Sequence, residues 1–310
     1  MATEPILAAL DVAAVRRRQR LVRSGLLSAY WSLTKPEVNF LIAVTAAAGF
    51  WTGAPASLAH FPWTSLLNTL VGTILVASGA AALNQVIELR FDAQMRRTAR
   101  RPLVSGRITQ SHALWFGISL SVIGVTYLAV TTNSLASLLS ILTLLAYLFL
   151  YTPLKRKTPL CILIGAFPGA APPLIGWAAA CGHLNGYALV LFAIVFLWQF
   201  PHFMAIAWIY REDYARAGYV VLPQGKSKDR FVASQTLLSS LALLAVALVP
   251  PIRGESGIVF FTGALVLGTV FLYYSARFAF QMSTVSARQL LFASILYLPA
   301  LFALLVWDKK

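Results

Sequence analysis

The chain has 310 residues, of which 59% are hydrophobic and 11% charged, with a mean hydropathy of +0.74. Soluble domains carry about a quarter charged residues, so a soluble multidomain enzyme and a disordered chain are both excluded and an integral membrane protein is implied. The 25 Lys and Arg against 10 Asp and Glu do not point to nucleic acid, which needs a basic face on a water-soluble surface; here the cations sit between apolar segments.

Apolar runs of bilayer-crossing length, roughly 20 residues, predict helices at residues 37–56, 65–89, 112–131, 134–152, 159–180, 186–209, 231–251, 256–280 and 286–307. The expectation is an all-α integral membrane protein with about nine transmembrane helices, residues 35–310 forming one membrane domain. Gly53-Ala54-Pro55, Thr132-Asn133, Pro153, Gly182, Pro250-Pro251 and Gly254 punctuate the runs. Assigning the cations to alternate sides puts 22 on one side and only Arg253, Lys309 and Lys310 on the other. The positive-inside rule then places the amino terminus in the cytoplasm and the carboxyl terminus outside.

Residues 1–34 form a basic amino-terminal segment, in which Arg16, Arg17, Arg18, Arg20 and Arg23 interrupt any apolar core. That rules against a secretory signal. An interfacial helix on the cytoplasmic membrane surface is expected rather than a cleaved transit peptide. Cys161 and Cys181 lie at opposite ends of one apolar run, about 30 Å apart along a helix, too far to bond to each other.

The second run ends in Asn84, Glu88 and Asp92, at i, i+4 and i+8. These share one helix face, about 6 Å apart along the axis, and their oxygens suit Mg²⁺, which also keeps waters and shares substrate phosphates. Arg96, Arg97, Arg100 and Arg101 follow at once, and guanidinium forks bind phosphate. The arginines alone read equally well as a basic loop. Two of only ten acids on one face with an Asn, at a membrane edge, argue for a site.

Glu212 and Asp213 close the sixth run on the same side, so both acidic clusters could hold one polyanion through metal. Between them Tyr151-Thr-Pro-Leu-Lys155 ends the fourth run. Lys155 alone would read as a snorkelling lysine; in this company it is a further phosphate-binding cation.

Together the Asn84-x-x-x-Glu88-x-x-x-Asp92 helix end, the Tyr151–Lys155 pair and the second acidic cluster resemble the UbiA-type intramembrane prenyltransferases. Three stretches are similar, within that superfamily, to the haem O synthases: Asn84 to Leu103, Gly165 to Trp177, and Trp198-Gln-x-Pro-His-Phe203 with Tyr210 to Tyr214. The likeness spans residues 30 to 305. Two departures stand out: Glu88 replaces the more usual Asp, and Ala217 stands where a partner acid to Asp213 is expected.

The resemblance implies nine helices around a central cavity and transfer of a farnesyl group from farnesyl diphosphate to haem B, with Mg²⁺ as cofactor. It implies Asn84, Glu88, Asp92 and Asp213 as metal ligands and catalytic residues together with Lys155. Arg96, Arg97, Arg100, Arg101, Tyr151, Glu212 and His202 are its substrate-binding candidates. It also implies a place in the cytoplasmic membrane rather than the mitochondrial inner membrane, with haem A synthase or oxidase assembly factors as partners beside the lipid bilayer.

His202 lies within the sixth run, about 16 Å of helix before Asp213. It reads either as a haem contact, with iron ligation by His familiar in haem proteins, or as a hydrogen-bonded interior His beside a helix break at Pro201. Gly165 and Gly169 make a Gly-x-x-x-Gly step, and with Pro172, Pro173 and Gly176 they predict close packing and a broken helix. Two other readings stand beside the haem one: a prenyltransferase for another aromatic acceptor, and a secondary transporter. The transporter is disfavoured because its sites lie near the bilayer midplane, whereas these acids cluster at one edge.

Overall fold

The computed structural model describes residues 25–55, 60–223, 225 and 227–310. Residues 1–24, with Arg16 to Arg23, lie outside the described residues, and so does the expectation of an interfacial helix there.

After a helical stretch at 25–33 come α1 (Pro36–Gly53), α2 (Trp63–Asp92), α3 (Gln110–Thr131), α4 (Ser134–Leu154), α5 (Cys161–Cys181), α6 (Gly186–Ile209), the short α7 (Arg211–Arg216), α8 (Ser227–Ile252), α9 (Ile258–Gln281) and α10 (Thr284–Trp307). No strand forms among the described residues, as expected in hydrocarbon, where backbone groups must be satisfied within the helix. Eight of these helices are long and apolar enough to cross a membrane; α1 has 18 residues and carries Glu37 and Asn39 near its start. The chain is a multi-pass integral membrane protein.

Polar punctuation sets the helix starts. Asn133 accepts from the Ala136 N–H at 2.9 Å, Asn185 from those of Tyr187 and Ala188 at 3.0 Å each, and Ser283 forms a reciprocal capping box with Ser286. Gly182, at φ 73°, ends α5 in the left-handed region that glycine enters without steric cost.

The helices pack in chain order, and α10 returns against α1. At that closure Asp308 Oδ2 accepts from the Phe260 N–H at 2.7 Å, while Lys309 Nζ donates to the Trp51 carbonyl at 2.8 Å. These two residues tie the end of α10 to the start of α9 and the end of α1.

The interior helix is α5, 78% buried over its apolar stretch. It crosses α1 where a Cβ on Gly49 would meet the Pro173 carbonyl at 2.1 Å and one on Gly176 the Ala46 carbonyl at 1.9 Å. The close packing expected of this segment is there, but the break is not. The helix runs unbroken through Pro168, Pro172 and Pro173, as α6 does through Pro201, because neighbouring helices compensate for proline in a membrane bundle. Elsewhere apolar side chains point outward, Phe280 82% and Val130 79% exposed among them, as a lipid-facing surface requires.

Candidate active site

The last two turns of α2 carry Asn84, Gln85, Glu88 and Asp92, all buried. A buried carboxylate needs a partner, and each acid has one from a different part of the chain. Lys155, just past α4, donates from Nζ to Glu88 Oε1 at 2.9 Å, and Arg101 pairs with Asp92 Oδ2. The final turns of α4, residues Ala146–Tyr151, widen into a π-helix before Thr152–Leu154. Such insertions recur at functional sites. Here Thr152 Oγ1 accepts from Asn84 Nδ2 at 3.1 Å, and the Tyr151 ring lies 4.4 Å from Lys155 Nζ.

Lys35 completes the cluster. It precedes α1 with φ 51° and ψ 65°, a left-handed conformation that side chains other than glycine rarely adopt, and its Nζ donates to Asn84 Oδ1 at 3.4 Å. Burial, reinforced by Arg101 and Lys155, brings the Lys35 ammonium down to about 7. Burial alone would also lower Lys155, but Glu88 outweighs it and holds that ammonium above its ordinary value. Three cations thus face two carboxylates, an arrangement suited to a polyanion.

A second layer joins the loop after α2 to α7. Asp213 Oδ2 accepts from the Arg97 N–H at 3.1 Å, and Oδ1 pairs with Arg216 at 2.9 Å. Desolvation, which would raise the Asp213 carboxyl, is outweighed by the backbone N–H groups of Arg97 and Arg96 and by Arg216, which hold it below its ordinary value. The Arg97 guanidinium lies 5.2 Å from the Tyr210 ring centre, and Thr98 Oγ1 donates to the Asp92 carbonyl at 2.6 Å. Tyr219 is sealed beside Glu88 and Asp92, its hydroxyl making no hydrogen bond of normal geometry, and burial together with those two acids pushes that hydroxyl well up.

Of the expected site residues, the structure brings together Asn84, Glu88, Asp92, Lys155, Arg101 and Tyr151, with Asp213 and Arg97 alongside. The side chains of Arg96, Arg97, Arg100 and Glu212 are exposed, and Arg97 reaches Asp213 through its backbone N–H. His202 lies apart on α6, its Nδ1 2.8 Å from Ser294 Oγ of α10. Lys35, Thr152 and Tyr219 were missed. Thr152 lies within the Tyr151–Lys155 motif and could have been read from it, but Lys35 counted only as a topological charge.

Among the described residues no three acidic, His or Cys side chains converge as a metal cage. The donor chemistry nevertheless fits Mg²⁺: Glu88 and Asp92, a turn apart with the Asn84 amide, offer hard oxygens. This metal commonly binds through one or two carboxylates plus substrate phosphates.

The model of the UbiA prenyltransferase family matches residues 40–297. The protoheme IX farnesyltransferase of Solibacter usitatus (strain Ellin6076) is 46% identical over 286 residues, covering 90% of this chain and 98% of its own. Two solved structures share the fold. The apo UbiA homologue from Aeropyrum pernix K1 has a TM-score of 0.67 at 21% identity, with 86% of this chain and 96% of that one covered. The UbiA homologue from Archaeoglobus fulgidus bound to GPP and Mg²⁺ has a TM-score of 0.60 at 16% identity, with 89% and 99% covered.

Proposed function

The chain belongs to the UbiA prenyltransferase family, and on that footing we propose that it transfers the farnesyl group of farnesyl diphosphate to a vinyl group of haem B, with addition of water, giving haem O and diphosphate. The observation that carries the site is the buried set of Glu88 and Asp92 closed by Lys35, Lys155 and Arg101. The choice of acceptor rests on the Solibacter relative.

Diphosphate entering this cluster exchanges one set of ion pairs for another. Lys155 and Arg101 swing part of their donation from Glu88 and Asp92 to phosphate oxygens, and Lys35 regains full charge beside the new anion. Asn84, Glu88 and Asp92, with Asp213 as a further donor, are the residues that would hold Mg²⁺; the metal, when bound, supplies charge neutralisation to the diphosphate. As the bond between farnesyl C1 and oxygen breaks, negative charge grows on the leaving group where the cations already point, so stabilisation requires little reorganisation. The allylic cation at C1 is attacked by the vinyl group, and water adds to the resulting cation with loss of a proton, giving the hydroxyethylfarnesyl substituent.

Residues 35–310 act as a single membrane domain with a cytoplasmic amino terminus, in a cell's cytoplasmic membrane, feeding haem A synthesis and oxidase assembly. The test is acceptor choice: purified protein receives farnesyl diphosphate and Mg²⁺ with haem B or with a quinone precursor, and diphosphate release is measured. Release with haem B alone is expected; release only with the quinone precursor overturns the acceptor.

A further inference from the structure

His202 sits in a clamp built by one residue of α10. Its Nδ1 is 2.8 Å from Ser294 Oγ, its ring stacks on Trp198 with centres 4.7 Å apart and planes 24° from parallel, and Trp198 Nε1 donates to the Ser294 carbonyl at 2.8 Å. Ser294 thus grips the imidazole with its side chain and the indole beneath it with its backbone, and both Ser294 and Trp198 are buried.

The hydroxyl has one proton, and its destination fixes the imidazole. Ser294 Oγ lies 2.6 Å from the Leu291 carbonyl oxygen, a separation at which two acceptors repel unless a proton lies between them. Since the carbonyl cannot donate, the Ser294 proton points there, and Oγ accepts from His202 Nδ1–H. Neutral His202 is then the Nδ1–H tautomer, with its lone pair on Nε2. That nitrogen has no hydrogen-bond partner among the described residues, and His202 keeps a small exposed share while Ser294 and Trp198 are sealed. A metal-ligating His characteristically has one nitrogen anchored by a hydrogen bond that sets tautomer and ring plane, leaving the other free.

We propose that Ser294 is a positioning residue that locks His202 in the Nδ1–H tautomer, so that Nε2 is presented as an axial ligand to the iron of the haem acceptor. This rests on the haem reading of the preceding subsection and adds to it the ligating atom and the residue that orients it.

The experiment titrates ferric haem B into detergent-solubilised wild-type protein and variants, reading affinity and the absorption and EPR signatures of axial nitrogen ligation. His202→Ala should lose the nitrogen-ligated signature and regain it with added imidazole. Ser294→Ala should bind haem about 10–100-fold more weakly, the range for loss of an outer-shell partner, and raise the KM for haem while leaving that for farnesyl diphosphate unchanged. Ser294→Thr, which keeps the hydroxyl, should restore affinity and spectrum. If His202→Ala leaves the spectrum and affinity of wild type, His202 is not the ligand and the proposal is overturned; if wild type binds no haem, the haem reading itself fails. If His202→Ala loses the signature but Ser294→Ala matches wild type, ligation stands and the role given to Ser294 is overturned.

Discussion

Lys155 Nζ lies 2.9 Å from Glu88 Oε1, a contact between residues 67 apart in sequence, and neither side chain is more than 14% exposed. Removing one member of a buried pair leaves an uncompensated charge and costs about 3–5 kcal/mol, whereas replacing both with neutral groups is often tolerated. Lys155→Met should therefore lower the apparent melting temperature, and Glu88→Gln with Lys155→Met should recover most of the loss. Activity should be recovered by neither. A double variant that regains farnesyl transfer together with stability would remove both residues from the chemistry.

Lys35 combines a backbone conformation adverse for L-residues with a buried ammonium. Left-handed geometry costs roughly 1–2 kcal/mol for a residue with a Cβ, and glycine avoids it. Lys35→Gly should be at least as stable as wild type while binding farnesyl diphosphate at least about tenfold more weakly, one decade corresponding to about 1.4 kcal/mol. Calorimetry on the same preparation reads both; a stable variant with undiminished affinity would exclude Lys35 from the anion site.

Asp213 latches the loop after α2 through the Arg97 N–H. A hydrogen bond to a charged group contributes about 1.5–3 kcal/mol, so Asp213→Asn should make residues 93–108 roughly tenfold more susceptible to proteolysis. The wild-type carboxyl is held below its ordinary value, and a group of that kind stabilises above its unfolded pKa and loses the effect only as pH falls through the lower folded one. Protection of the loop in wild type should stay level from pH 8 to 5 and decline only in stronger acid. A decline centred near neutrality would contradict the latch.

The crossing of α1 and α5 leaves no room for a methyl at Gly176, where a Cβ would lie 1.9 Å from the Ala46 carbonyl. Gly176→Ala should cost about 3 kcal/mol or more, the upper end for overpacking. Gly186→Ala is the control, since a Cβ there meets nothing closer than Arg253 at 3.5 Å. Equal melting temperatures for the two variants would show that the crossing relaxes freely.

The helices were legible because hydrocarbon admits few alternatives: long apolar runs must be helical, and Thr132-Asn133 and Gly182 punctuate them. The acids of α2 were legible because one helical period aligns them. What sequence could not supply was long-range closure. Lys35 reaches Asn84 only because α1 packs beside α2, and whether Glu212 or Asp213 turns inward depends on the geometry of one short helix. Pro172 and Pro173 misled for the same reason. Proline breaks an isolated helix, but in α5 the neighbouring helices keep the chain helical.

The central claim is that the end of α2 is where farnesyl diphosphate reacts with haem B. It is tested most directly by incubating membranes containing wild type, Asp92→Asn or Gly186→Ala with haem B, farnesyl diphosphate and Mg²⁺, with a chelated control, and measuring extracted haems by mass spectrometry. A hydroxyethylfarnesyl haem formed by wild type and Gly186→Ala, and lost both in Asp92→Asn and with chelator, is the expected result. Undiminished product in Asp92→Asn, or in the chelated sample, would place the chemistry elsewhere.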